Sequence, residues 1–272
     1  MSENKVVNFH PESVATFTGI YTDTTIINWT KENSPYIITE TVVIDSGITL
    51  KVEPGTVAKF EPGAALIIKG ILNAEGTIED SIKFTSSGMF DQENWKLWSG
   101  IQFENCSNSS ILKYCIVEYG VDKCITIKNS SPTISHCKLR YIVPSAETGG
   151  AIIICTDSST PLIEYNVISE FYNYAATGIY CISSNPEIFH NDIICCETEC
   201  IAVIGGGFLD GNYLAIDVLI GIQEQYMPDT SLGEPIDQIG DGICNTTSTD
   251  SLQLFRNVDG VKNPRSIPDF PF

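Results

Sequence analysis

With 272 residues, 43% of them hydrophobic, the chain can bury a sizeable core and is not a disordered polyelectrolyte. Its formal charge of −19, from 34 acidic against 15 basic side chains, speaks against a nucleic-acid partner, which needs clustered Lys and Arg. The same charge disfavours anionic membranes and repels anionic polysaccharide unless a metal ion intervenes.

No run of about 18 apolar residues occurs, so no membrane span is expected. The N-terminus, MSENKVVNFHPES, lacks the apolar core of a secretory signal. That fits a cytoplasmic protein or one whose signal has been removed. Residues 1–35 carry no clear repeat and are expected to cap one end of the fold.

From Tyr36 to Ser87 short β-branched runs alternate with Gly- and Pro-containing corners, among them the paired EPG turns Glu53–Gly55 and Glu61–Gly63. These runs are too short for helices. A polar, Trp-bearing excursion, GMFDQENWKLW (88–98), interrupts them.

The middle third then repeats one segment four times: SILKYCIVEY (110–119), PTISHCKLRY (132–141), PLIEYNVISE (161–170) and PEIFHNDIIC (186–195). Its anchors Cys115, Cys137, Asn166 and Asn191 are spaced by 22, 29 and 25 residues, and Asn212 continues the register. Repeats of this length with alternating apolar and polar positions indicate a solenoid of strands. A second strand-and-corner family, ITIKNSSP (125–132), IIICTDSSTP (152–161) and IYCISSNP (179–186), precedes each later anchor. Val117, Leu139, Ile168 and Ile193 should form one interior stack, and the Asn/Cys column an inward structural ladder.

The expected architecture is all-β: a single-stranded right-handed parallel β-helix of about 7–8 coils. It spans residues 36–215, between an N-terminal cap (1–35) and an irregular, acidic C-terminal tail packed on the helix (216–272).

Ten cysteines are many, but they lie in no metal-finger spacing and include no CxxC pair. Most read as small apolar core residues. Cys115 and Cys137, if stacked on adjacent coils about 4.8 Å apart, come within disulfide range by distance alone.

On these residues the chain resembles the right-handed parallel β-helix repeat proteins, the pectate-lyase-like superfamily in its broad sense. GITLKVEPGTVAKFEPGAALIIKGILNAEG and WSGIQF look like the first coils of exported members. Gly211-Asn212-Tyr213, with Leu214 where a Trp is usual, and Gly240-Asp241-Gly242-Ile243 are similar to the tail of the NosD-like group. The resemblance implies an extracellular, periplasmic or cell-surface protein, and a polysaccharide lyase or glycoside hydrolase as the alternative to a binding module.

Neither chemistry has a recognisable set of residues. A lyase base should be an Arg or Lys ringed by calcium-holding acids, yet the repeats hold one arginine, Arg140, with Glu118 at the equivalent position one coil earlier. That pairing reads as a salt bridge. A hydrolase should present paired carboxylates, and Asp157 is the only acid in its corner column.

The outward column before the anchors, Tyr114, His136, Tyr165 and His190, is the candidate glycan site. Strand alternation should face these rings to solvent, one above another at the coil repeat, in a shallow strip whose aromatic faces and polar tips suit stacking on sugars. Tyr119, Tyr141, Phe171, Tyr172 and Tyr174 are expected to widen the strip. Asp237 and Asp241 in the tail, with neighbouring acids, offer hard oxygens for calcium. The expected function is thus a non-catalytic, exported or cell-surface β-helix, carbohydrate-binding or structural, with no nucleic-acid partner.

Overall fold

The computed structural model describes residues 6–7, 15–21, 26–88, 97–106, 109–143, 150–169, 176–195, 200–216, 243–245, 252–255 and 258–259. Among these the chain is all strand and turn, with no helix, wound into a parallel β-solenoid of about six turns. That is close to the expected coil number. No helix among the described residues is long and apolar enough to cross a membrane.

Three faces line the solenoid. The first is a sheet of ten strands that includes Thr49–Val52, Ile71–Glu75, Ile111–Lys113, Thr133–Ser135, Leu162–Glu164, Glu187–Phe189 and Gly207–Asp210. The second runs through Val57–Phe60, Ile82–Ser86, Cys115–Glu118, Lys138–Arg140, Val167–Ser169 and Asp192–Cys195. The third runs through Leu66–Ile68, Ile101–Glu104, Ile125–Lys128, Gly150–Thr156, Ala176–Ile182 and Ile201–Ile204. Every pairing is parallel, which the winding requires, because each strand meets its neighbour only after a full turn. The nine-residue strand Tyr36–Ile44 bends across two faces, pairing Tyr36–Ile38 with Ala58–Phe60 and Val42–Ile44 with Leu66–Ile68.

Alternation decides what goes inside. In Val57–Phe60 and Ile101–Glu104 every second side chain is buried. The stack of Val117, Leu139, Ile168 and Ile193 is in register through three pairings, and each side chain is fully buried. Ala74, Leu112, Ile134, Ile163, Ile188 and Leu209 make the matching column on the first face. Each Leu or Ile contributes on the order of 1.5–3 kcal/mol. The largest buried rings, Trp29, Tyr36, Phe60, Phe84, Trp98 and Phe103, all lie in the early coils, with Trp29 stacked on Tyr36 and Phe60 on Trp98.

At the corner between first and second faces an amide ladder satisfies the backbone of the bend. Asn166 Oδ1 accepts from the Cys137 N–H at 2.9 Å, and Asn191 Oδ1 from the Asn166 N–H at 3.0 Å. Asn212 Oδ1 accepts from the Asn191 N–H at 2.9 Å. Each Nδ2 donates to the carbonyl of an inward residue one coil back: Asn166 to Ile134, Asn191 to Ile163 and Asn212 to Ile188, all at 2.9 Å. Cysteine takes the same donor role earlier, with Cys115 Sγ 3.4 Å from Ala74 O and Cys137 Sγ 3.5 Å from Leu112 O. The thiol supplies the donor but only a weak acceptor, so it is the poorer rung.

Seven cysteines, Cys106, Cys115, Cys124, Cys137, Cys155, Cys181 and Cys200, are buried free thiols. Cys115 lies against Cys137, and Cys155 is in register with Cys181, without bridges. Burial pushes the Cys115 and Cys181 thiols well above their ordinary range, and Cys124 from 9.0 up to about 12. The nucleophilic thiolate is therefore scarce and shielded in the fold. Iodoacetamide at neutral pH is expected to leave all seven unmodified in the native protein and alkylate all seven in guanidinium, read by peptide mass spectrometry. Alkylation of Cys124 in the folded chain at the unfolded rate would refute the burial. The same shifts fix the alkaline behaviour. A raised folded value gives stability that is complete below about pH 9 and lost as pH climbs towards 12, because the unfolded chain sheds its protons first.

Candidate functional site

The corner that carries the Asn/Cys ladder inward carries Tyr114, His136, Tyr165 and His190 outward. Their equivalence is fixed by the backbone: the N–H groups of Tyr114, His136, Tyr165 and His190 donate to the carbonyls of Ser135, Glu164, Phe189 and Asp210 in turn. The side chains face out for a different reason from strand alternation. Each residue is a one-residue corner in the left-handed region, with φ of 49°, 54°, 53° and 52°. This turns the chain from one face to the next and throws the side chain outwards.

That conformation is uncommon for a residue with a Cβ and an outlier for tyrosine. Elsewhere in the solenoid Asn105, Asp122, Asn129, Asp157, Ser158 and Ser183 occupy positive φ, residues whose short polar side chains accommodate it, and two further tyrosines, Tyr119 and Tyr141, take the same conformation at φ of 63° and 56°. Aromatic residues at the Tyr114 corner are thus not there for the backbone, which they strain by about 1–3 kcal/mol each.

The four rings follow one another along the axis, with centroids 4.9 Å apart and planes tilted by 46° for Tyr114 and His136, and stacked at 5.1 Å for His136 and Tyr165 and 5.0 Å for Tyr165 and His190. Such contacts recover about 0.5–1.5 kcal/mol per pair. The faces are therefore turned largely on one another, and what the column shows to solvent is its edges. Tyr165 is 48% exposed, His190 is exposed, and Tyr114 and His136 are half-buried. The expectation of open faces for sugar stacking gives way to a strip of hydroxyls and imidazole nitrogens, one per coil.

Those polar edges are uncommitted. The described residues offer no partner to the hydroxyls of Tyr114 and Tyr165; His136 Nδ1 also lacks one, but it is buried and is not part of the solvent-facing edge. Burial, then the charge of Lys113, holds the His136 pKa below the usual imidazole value, and Glu164 pulls weakly the other way. The ring is neutral at pH 7.

Both ends of the strip are glycines. Gly76 occupies the corner before Tyr114, its N–H donating to Lys113 O at 2.8 Å, and Gly211 the corner after His190. A Cβ on Gly211 would lie 2.2 Å from His190 Nδ1, so the bare glycine, at φ +68°, leaves room for the last ring. The G-Y-H-Y-H-G order down the column is readable only once the register is known.

Tyr119 and Tyr141 do not widen the strip. They stack on each other at 5.1 Å and 7° at the far end of the second face, with the strand Cys115–Glu118 between the two columns. There Arg140 Nε donates to Glu118 Oε2 at 2.9 Å while its guanidinium carbon sits 4.8 Å from the Tyr141 ring centre. Lys83 Nζ and Thr85 Oγ1 also reach Glu118, at 2.8 and 3.0 Å. Arg140 is thus tied into a buried ion cluster. Asp157 faces Lys128 across 3.7 Å at the exposed third corner.

Phe171, Tyr172, Tyr174 and the calcium candidates Asp237 and Asp241 lie outside the described residues. Among the described residues no three His, Cys, Asp or Glu side chains converge to hold a metal ion. Compared with known proteins, the chain matches no protein-family model, no curated protein and no solved structure.

Proposed function

We propose that the protein is a non-catalytic β-helix module, exported or displayed at the cell surface and akin to the pectate-lyase-like superfamily in its broad sense. It binds carbohydrate along the strip Tyr114, His136, Tyr165 and His190. The observation that carries this reading is the choice of aromatic residues at four successive left-handed corners where Asn or Gly would cost less. Their polar edges repeat at the coil interval and have no partner among the described residues, which suits the closely spaced hydroxyls of a glycan. A fixed backbone holds the array in place, so little ordering entropy opposes binding.

Replacing Tyr165 and His190 with Ala should lower glycan affinity at least tenfold on a polysaccharide panel while the far-ultraviolet dichroism stays unchanged. Removing the rings also relieves two strained corners only in part, so the melting temperature should fall modestly. A double variant that binds glycans as the parent does would remove the strip from the site.

A further inference from the structure

If the strip binds carbohydrate, its charge pattern and length define which kind. In the column on the first-face side, Lys113 stands beside Tyr114 and Glu164 beside Tyr165. In the column on the second-face side, Lys138 stands beside His136 and Asp192 beside His190. Glu75 stands in register with Lys113 just before the first rung and Asp210 lies beside Gly211 just after the last, so charges of both signs line the strip. A chain with the same charge on every unit would be attracted at some rungs and repelled at others, at separations comparable to the roughly 8 Å screening length at physiological salt. A neutral polyhydroxylated chain meets no such conflict and can bond every rung.

The spacing sets the rest. Three steps of 4.9, 5.1 and 5.0 Å separate the four ring centres, and Gly76 and Gly211 end the row without side chains. An extended β-1,4-linked hexose chain advances by close to one such step per sugar. We propose that the strip is a four-unit site for a neutral, extended β-1,4-linked glycan lying parallel to the solenoid axis.

Titration calorimetry of the full chain against cello-, manno- and chito-oligosaccharides of two to six sugars tests this, with oligogalacturonates and chitosan oligomers as charged counterparts. Affinity should rise about three- to tenfold per sugar up to the fourth, the worth of one net hydrogen bond, and stay level for the fifth and sixth. Gly211→Ala, which displaces the His190 ring, should move that levelling to the third sugar. A rise that continues past four, or no dependence on length, overturns the four-unit site. Tighter binding of either charged series overturns neutrality. Failure of every oligosaccharide to bind would instead overturn the carbohydrate reading on which the inference rests.

Discussion

Asn191→Ala is expected to lower the free energy of unfolding by about 3–6 kcal/mol, the larger of the two strongest effects a single side chain should have here. The side chain serves three coils at once. Its Oδ1 accepts from both the Asn166 N–H and Asn166 Nδ2, and its Nδ2 donates to Ile163 O and to Asn212 Oδ1. Asn191 is fully buried, so water cannot replace what alanine removes. The Asn166 N–H, one Asn166 amide hydrogen and the Ile163 carbonyl are orphaned, at about 1–3 kcal/mol for each buried group. Asn191→Cys should cost roughly half as much, because a thiol can still reach Ile163 O, as Cys137 reaches Leu112 O. Urea unfolding gives the ranking. Hydrogen exchange locates it, since the Asn166 amide should lose protection in both variants and most in the alanine one. Equal stabilities for the Ala variant and the parent would mean that the ladder is incidental to the bend. Because a solenoid's stability is close to a sum of nearest-neighbour terms, the loss should concentrate in the coils around the missing rung.

The solenoid was legible because its determinants are local and repeat. Alternation of apolar residues over three to five positions, an Asn or Cys that must turn inwards, and Pro or Gly at the corners all appear in the linear chain. The interior column from Val117 to Ile193 followed from that alone. The aromatic column was visible too, but its backbone geometry was not. Strand alternation and a left-handed corner both place a side chain outwards, and only backbone torsions tell them apart. That the rings follow one another at the coil repeat was legible; the left-handed backbone beneath them was not. Gly76 and Gly211 escaped notice for a related reason: a missing side chain signals nothing until the register shows that it stands in line with four rings. Lys113, Lys138, Glu164 and Asp192 likewise gain meaning only as neighbours across coils. Tyr119 and Tyr141 are near the strip in sequence but a strand's length from it in space, a distance that periodicity alone does not convey.

Glu118→Ala should destabilise the protein by about 3–5 kcal/mol, through charge rather than packing. The Glu118 side chain is 2% exposed and its partner Arg140 11%, so the pair sits where water screens little. Desolvating both ions costs several kcal/mol each, which their attraction offsets only while both are present. Without the carboxylate, Arg140, clamped over Tyr141 and only 11% exposed, loses the counter-charge 2.9 Å away. Lys83, 36% exposed, can swing to water and adds little to the loss. Arg140→Met should cost less, because Lys83 and Thr85 still hold the carboxylate. The discriminating variant is the double one: Glu118→Leu with Arg140→Met should come back to within about 1 kcal/mol of the parent, since exchanging a whole buried ion pair for apolar side chains is close to neutral. Denaturant unfolding of the four proteins closes the thermodynamic cycle. If the double variant is as unstable as Glu118→Ala, the cluster stabilises by shape rather than by charge. If it recovers and glycan affinity is unchanged, the ion cluster and the aromatic strip, on opposite ends of the second face, are energetically independent.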